Sequence, residues 1–449
     1  MSDKIAYQGQ IFSFKETATL ANLSTVKPSS SEKDAHYTYI ENGVVIVEGS
    51  KIYKIGSYED LKDELSHIEI INYKNKLITP GFIDTHQHAT QSGIVAAYGE
   101  KLLQWLQDYV FSGESRFVDE VYAKEHLGFF LDQLIRNGTT TAVSYGPLFL
   151  NATDIFFDEL NKRNMRFITG NVLMDTNSPD SLRLTTQENY DNCKQLIAKW
   201  HNKNRLSYCI SPRFALSCTD ELLELCASLY KEYPDCYIQT HLDENESEVA
   251  ETKQKYPWSK NYLDVYDHFG LVTERSIFGH CIHTQEAELE LFKKSGAIMS
   301  WCPLSNNFLG SGLFDFARAK KYTDKITLGT DWGAGNSLCM LRVLDDAYKV
   351  AMLNSTKLPS MVRWYLATLG SARALQINDK IGTLTPGKEA DFIVIDPDAS
   401  PLLKYRKATI DNIFDLLFIL MTLGSEINIK ATYIAGTPAY IRNPHKEYL

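Results

Sequence analysis

Between about residues 78 and 375, short β-branched apolar runs alternate with amphipathic stretches. The runs are 82–84, 140–144, 166–169, 206–209, 236–240, 276–279, 297–300 and 326–329. Between them lie segments with helical spacing, such as 129–135, 222–230 and 289–294. Parallel strands need a crossover long enough to hold a helix, so this alternation points to consecutive βαβ units. Eight such units predict an α/β fold, a (β/α)8 TIM-like barrel. Propensity alone also accommodates seven or nine units. An open doubly wound sheet is the structural alternative, but no GxGxxG follows the first run.

Both chain ends read differently. Residues 43–56 have the pattern of a β-hairpin, with Gly49-Ser50 at the turn. Segments 390–396 and 431–436 are also short, apolar and strand-like, and residues 28–34 read as a polar surface loop. The ends are expected to pair into a small β-sandwich domain, since chain termini often lie close together. The expected division is 1–78 for the first part of that domain, 79–379 for the barrel and 380–449 for the return. A length of 449 residues suits a large barrel with an appendage.

Composition narrows the function classes. With 46 basic against 56 acidic residues, the chain carries a net charge of −10. Without a basic cluster it is a poor binder of nucleic acid, where Lys and Arg must neutralise phosphates. The most apolar stretch, 413–423, is too short to span a bilayer and contains Asp415. The N-terminus has no apolar signal core, so a cytoplasmic location is expected. None of the eight cysteines forms a CxxC pair, so free thiols are expected. The same absence removes the His/Cys/Cys pattern of zinc deaminases, and the HxE sequences at 67–69 and 445–447 then read as chance.

The chemistry gathers where the strands end. His86 and His88 follow the first strand, and residues two apart on a strand share a face. His241 follows the fifth strand, His280 the sixth and Asp331 the eighth. Barrel active sites sit at that C-terminal face. Imidazoles with one carboxylate make a hydrolytic metal site. Alone, each residue has an ordinary explanation: HxH pairs are common, and an aspartate in Gly-Thr-Asp-Trp-Gly suits a turn. Five polar residues gathered at four strand ends are not explained that way.

This constellation resembles the amidohydrolase superfamily over nearly the whole chain. The resemblance rests on PGFIDTHQH at 80–88, Thr240-His241, Gly279-His280, Gly329-Thr330-Asp331 and the IGTLTPGKEADF return at 381–392. Within the superfamily it is similar to the guanine-deaminating branch. The matching segments are His88 to Gln91, Trp105 to Phe111, 137–141, SPRFALSC at 211–218, IQTHLDEN at 238–245 and the Tyr-Pro to Val-Tyr stretch at 256–266. The chain departs from the family pattern at Trp301, at Trp332 and in the extra His283.

The resemblance implies one zinc per subunit on His86, His88, His241 and Asp331. It implies a neutral purine, guanine, as substrate, with no nucleic-acid or membrane partner, and a homodimer. Asp331, His280 and Glu244 are the implied catalytic residues. Glu244 would protonate the ring nitrogen beside the attacked carbon, because ring conjugation must be broken before water adds. Its ordinary alternative is a glutamate in the first turn of a helix. Glu246 and Glu248 read as solvated charges. Gln91 and Arg213 would recognise a base edge carrying a carbonyl beside an N–H, and Phe214 would contact the ring face. The implied substrate contacts also include His88, His241, Glu244 and Asp331. Competing readings are an aminohydrolase of the same fold acting on a modified purine, a pterin or a thio-adenosine, and a non-catalytic relative.

Overall fold

A computed structural model describes residues 4–27, 36–99 and 101–443. The loop expected at 28–34 and the HxE at 445–447 lie outside the described residues. Four strands open the chain: β1 (Lys4–Phe14), β2 (Tyr37–Glu48), β3 (Lys51–Ser57) and β4 (Glu69–Pro80). Eight parallel strands follow: β5 (Phe82–Asp84), β6 (Thr139–Gly146), β7 (Arg166–Leu173), β8 (Leu206–Pro212), β9 (Tyr237–Leu242), β10 (Ser276–His280), β11 (Ile298–Trp301) and β12 (Ile326–Leu328). The chain ends with β13 (Phe392–Ile395), β14 (Ile429–Ile434) and β15 (Thr437–Ile441).

Strands β5 to β12 stand side by side in chain order, each near one of the eight apolar runs. The circle closes where Thr85 N–H donates to Leu328 O at 3.2 Å. The interior is layered, because inward side chains recur every second residue. On β9 the inward residues are Tyr237, Gln239 and His241, and on β8 into the following loop they are Cys209, Ser211 and Arg213. The lowest layer is apolar: Ile83, Val143, Ile168, Cys209, Ile277 and Ile298 pack against Ala372, Leu375 and Ile381, which stopper the N-terminal mouth. Above it lies a hydrogen-bonded polar layer. Gln239 donates to Ser144 O (3.0 Å) and Ser211 Oγ (2.8 Å), and Thr85 meets Ser300 and Thr327. The site residues form the top layer.

The chain ends make one seven-stranded sheet in the order β15-β14-β13-β4-β1-β2-β3. It curls on itself. Edge strand β3 bonds to the segment leading into β13, with Ile52 N–H donating to Lys388 O (2.9 Å) and Gly387 N–H to Ile52 O (2.8 Å). Alternate residues of one strand serve two cores. Phe392 and Val394 pack inside the curl with Tyr7, Val45 and Tyr433, while Ile393 and Ile395 join the large core shared with the barrel helices. Polar contacts join the same two bodies. Arg205 pairs with Glu389 (2.6 Å) and Asp391, and Thr432 Oγ1 donates to Ile135 O at 2.7 Å.

The apolar stretch 413–423 is a largely buried helix, Ile413–Leu423, and no helix among the described residues is long and apolar enough to cross a membrane. All eight cysteines are free and buried.

Because Ile393, Ile395 and Ile429 complete the large core, a fragment of residues 79–379 is expected to aggregate or melt far below the full chain. Solubility and circular dichroism of the fragment check this. A soluble fragment with native melting would show that the sheet contributes little.

Candidate active site

The loops after the strands place His86, His88, His241, His280, Glu244 and Asp331 together, every one of them 9% exposed or less. The two leading histidines stand just past β5, which ends at Asp84. Backbone bonds nevertheless keep their segment extended between its neighbours. Tyr145 N–H donates to Gln87 O (2.9 Å) and Asp331 N–H to His86 O (2.8 Å). Both imidazoles therefore reach one carboxylate oxygen, Asp331 Oδ1, from His86 Nε2 at 3.5 Å and from His88 Nε2 at 3.3 Å. His88 and His241 bring their Nε2 atoms to 3.2 Å of each other. His280 Nε2 lies 3.3 Å from Glu244 and 3.9 Å from Asp331.

Two glycines make the room. A Cβ on Gly279 would fall 2.4 Å from His86 Cε1, and one on Gly329 would fall 2.7 Å from His86 Cβ. The Gly-His and Gly-Thr-Asp pairs thus keep the space that the His86 ring occupies. The backbone is strained here as well. Asp243, His280, Cys281 and Asp331 all have left-handed φ, between 47° and 73°. Side chains tolerate that region poorly, and such outliers cluster at functional sites.

The electrostatics suit a cation. Burial pushes His88 down, His241 well below the usual imidazole range, and His280 down to about 3, so all three are neutral. Burial works to raise Asp331, but the adjacent imidazoles of His86 and His88, with His280 behind them, outweigh it and hold the carboxyl well below the usual range. His241 Nδ1 faces Arg213 O at 2.6 Å; donating there, it leaves Nε2 bare toward the site. His86 Nε2 and His280 Nε2 are buried with no hydrogen-bond partner. Buried polar atoms without partners call for an explanation. Buried imidazole nitrogens without partners, converging on a carboxylate, have the chemistry of a divalent-metal donor set, so the residues fit such an ion.

Beside this cluster is a small cavity lined by His88, Gln91, Trp105, Arg213, Phe214 and Glu244, among others. Every residue expected at the site is therefore in it or in the donor cluster. Trp301 is in the core, stacked on Phe314, and Trp332 donates to Ser92 Oγ (2.9 Å). Neither residue, nor His283, lines the cavity. Glu244 precedes the helix Glu246–Lys255 and is buried, so it is not a first-turn surface charge. Burial, then the nearby Asp331 and Glu248 carboxylates, raise it well above the carboxylate range.

One expectation is corrected. Glu246 is exposed as a solvated charge would be, but Glu248 is fully buried. It accepts from the N–H groups of Glu244 (3.0 Å) and Asn245 (3.3 Å) and from Tyr262 OH (2.7 Å). Burial pushes its carboxyl up to about 7. The pattern Asn245-x-x-Glu248, a capping box, was the signal for its inward turn.

Three further residues escaped the sequence reading. Tyr145 stacks beneath His88 and His241, with ring centroids 4.8 and 4.9 Å away. Asn306 places its amide nitrogen 3.0 Å from His280 Nδ1. Glu114 is a buried carboxylate bonded to both Gln91 and Arg213.

Comparison with known proteins now has a geometry to meet. The amidohydrolase family model matches residues 77–439. The chain belongs to the amidohydrolase family. It is 42% identical to guanine deaminase of Escherichia coli strain K12, over 90% of this chain and 92% of that protein. It is 34% identical to guanine deaminase of Dictyostelium discoideum, over 82% and 83%. The solved E. coli guanine deaminase superposes with a TM-score of 0.92 at 40% identity, covering 98% of this chain and 100% of that one. Guanine deaminase from C. acetobutylicum, solved with guanine bound in its active site, superposes with a TM-score of 0.87 at 27% identity, covering 97% and 100%.

Gly279→Ala tests the role given to that glycine. The added methyl meets the His86 ring, so metal content should fall sharply and stability by about 1–3 kcal/mol, the usual cost of overpacking. Elemental analysis and thermal melting measure both. Full metal content with unchanged melting would refute the packing argument.

Proposed function

We propose that this protein is a zinc-dependent aminohydrolase that converts guanine and water to xanthine and ammonia. The observation that carries the reading is the pairing, in one buried cavity, of a cation-ready cluster with Gln91 and Arg213. The first suits hydrolysis, and the second suits a carbonyl beside a ring N–H. The named relatives agree in being guanine deaminases.

His86, His88, His241 and Asp331 would hold one zinc per chain. When bound, such an ion lowers the pKa of water toward 7 and so supplies a nucleophile at neutral pH. Asp331, kept ionised by its histidine neighbours, is placed to take the attacking water's proton and deliver it to the departing ammonia. Glu244, whose neutral form burial favours, is the acid for the ring nitrogen beside the attacked carbon. If Asn306 donates to His280 Nδ1, the ring's proton sits on Nε2, facing Asp331 and Glu244. There it orients the nucleophile and donates to the oxyanion that develops. Phe214 offers its ring to the flat base.

The reading extends to residues 79–379 as the catalytic unit, with 1–78 and 380–449 as its supporting β domain. It also extends to a homodimer in the cytoplasm. Family resemblance supports the dimer, and light scattering checks it.

Four outcomes are expected. Purified protein should release ammonia from guanine and little or none from adenine. Prolonged chelation should remove about one equivalent of metal with nearly all activity, and zinc should restore it. Glu244→Gln should keep its metal and lose about a hundredfold or more in turnover, the scale of a general acid–base group. Full activity in metal-free protein, or Glu244→Gln within a few-fold of wild type, would overturn the mechanism. Arg213→Met should cost guanine turnover severely and narrow the guanine-to-adenine ratio, because adenine sets a donor against the guanidinium where guanine offers an acceptor. Unchanged guanine kinetics would make Arg213 structural.

A further inference from the structure

Glutamine can present either end of its amide, so Gln91 alone does not settle which base edge the cavity prefers. Glu114 settles it. Its carboxylate is 5% exposed, on the short helix Phe111–Ser115 that follows a wide π turn at Leu106–Val110. Oε1 accepts from Gln91 Nε2 at 2.9 Å, with Thr90 Oγ1 at 3.4 Å, and Oε2 accepts from Arg213 Nη1 at 2.7 Å. Burial works against this charge, yet Arg213 and the Gln91 N–H more than compensate and keep it ionised. An ionised carboxylate only accepts, so Gln91 must turn its nitrogen to Glu114 and its oxygen away. Gln91 Oε1 is indeed buried and without a partner. It lies against Gly333, where a Cβ would come within 1.9 Å of it. A flipped amide would set carbonyl oxygen against carboxylate. Among the described residues nothing but Glu114 accepts from the Arg213 guanidinium, so its other N–H groups are left for a ligand.

We propose that Glu114 is a positioning residue that fixes the polarity of the base-recognising edge as one acceptor, Gln91 Oε1, beside the donors of Arg213. That polarity takes a ring N–H next to a carbonyl. It opposes a ring-nitrogen acceptor next to an exocyclic amine. It also leaves the cavity with paired charges, which suits a neutral base. The proposal rests on guanine being the substrate and specifies how guanine is told apart from other 2-aminopurines.

The test compares guanine with 2,6-diaminopurine, which keeps the amine at the attacked carbon but reverses both groups on the neighbouring edge. The second base is read as a substrate or, where turnover is too slow, as a competitive inhibitor. Wild type should favour guanine strongly. In Glu114→Gln the new amide can donate as well as accept, so Gln91 is free to turn over. Preference for guanine should fall by at least about tenfold, a fraction of the discrimination that such polar sites reach. Metal content should stay at wild-type level. Glu114→Asp, shorter by one methylene, cannot hold both partners, and it carries the same test if Glu114→Gln does not fold. A merely structural role predicts equal losses on both bases. An unchanged ratio in a folded variant, beside wild-type activity on guanine, overturns the proposal alone. Wild-type protein that releases no ammonia from guanine overturns the substrate reading and this proposal with it.

Discussion

The seam where the first and last barrel strands meet governs the rest of the site. There Thr85 bonds to Leu328, and Asp331 N–H bonds to His86 O. The second bond ties the segment bearing two histidines to the one bearing the carboxylate, so closing the barrel and assembling the donor set are a single event. Asp84 supports the seam from below, accepting from Thr330 N–H and hydroxyl at 3.0 and 2.6 Å. Three imidazoles and a carboxylate could not be kept this close and this dry on flexible loops, where water would enter and the rings would part.

Much of this was legible in the sequence because β-strand periodicity is short and strict. Once the eight runs are placed, the residues at their C-terminal ends must share one face of the barrel, and His86, His88, His241, His280 and Asp331 follow. Arg213 and Gln91 needed the added help of family resemblance: Gln91 lies seven residues past β5, where periodicity has lapsed, and Arg213, though it continues the alternation of β8, is as readily read as a structural salt bridge. Glu114 had no one-dimensional signal, because its partner Arg213 is 99 positions away and the wide π turn before it disturbs helical phase. Tyr145 looked like any aromatic on a strand. Glu248 was misread because charge was taken as a sign of solvent, although its capping pattern turns it inward.

The left-handed backbone at Asp243, His280, Cys281 and Asp331 belongs to the same account. Local conformation is unfavourable at these points, and the packed layers beneath hold it. The cost is offset by an apolar floor and a hydrogen-bonded polar layer, neither of which touches a ligand. Stability is thus concentrated under the site and strain within it, the usual division when function demands a special geometry.

The strand order of the terminal sheet has a consequence for biosynthesis. Strand β4 pairs on one side with β1 and on the other with β13, whose first residue is Phe392. A ribosome therefore releases nearly the whole barrel before the partner of β4 exists, and that edge must wait unpaired. Unpaired strand edges are templates for aggregation, and contacts so distant in sequence form slowly. The nascent chain is most vulnerable in this interval. Its last strands act as a clasp that turns a nearly finished, sticky intermediate into a closed molecule.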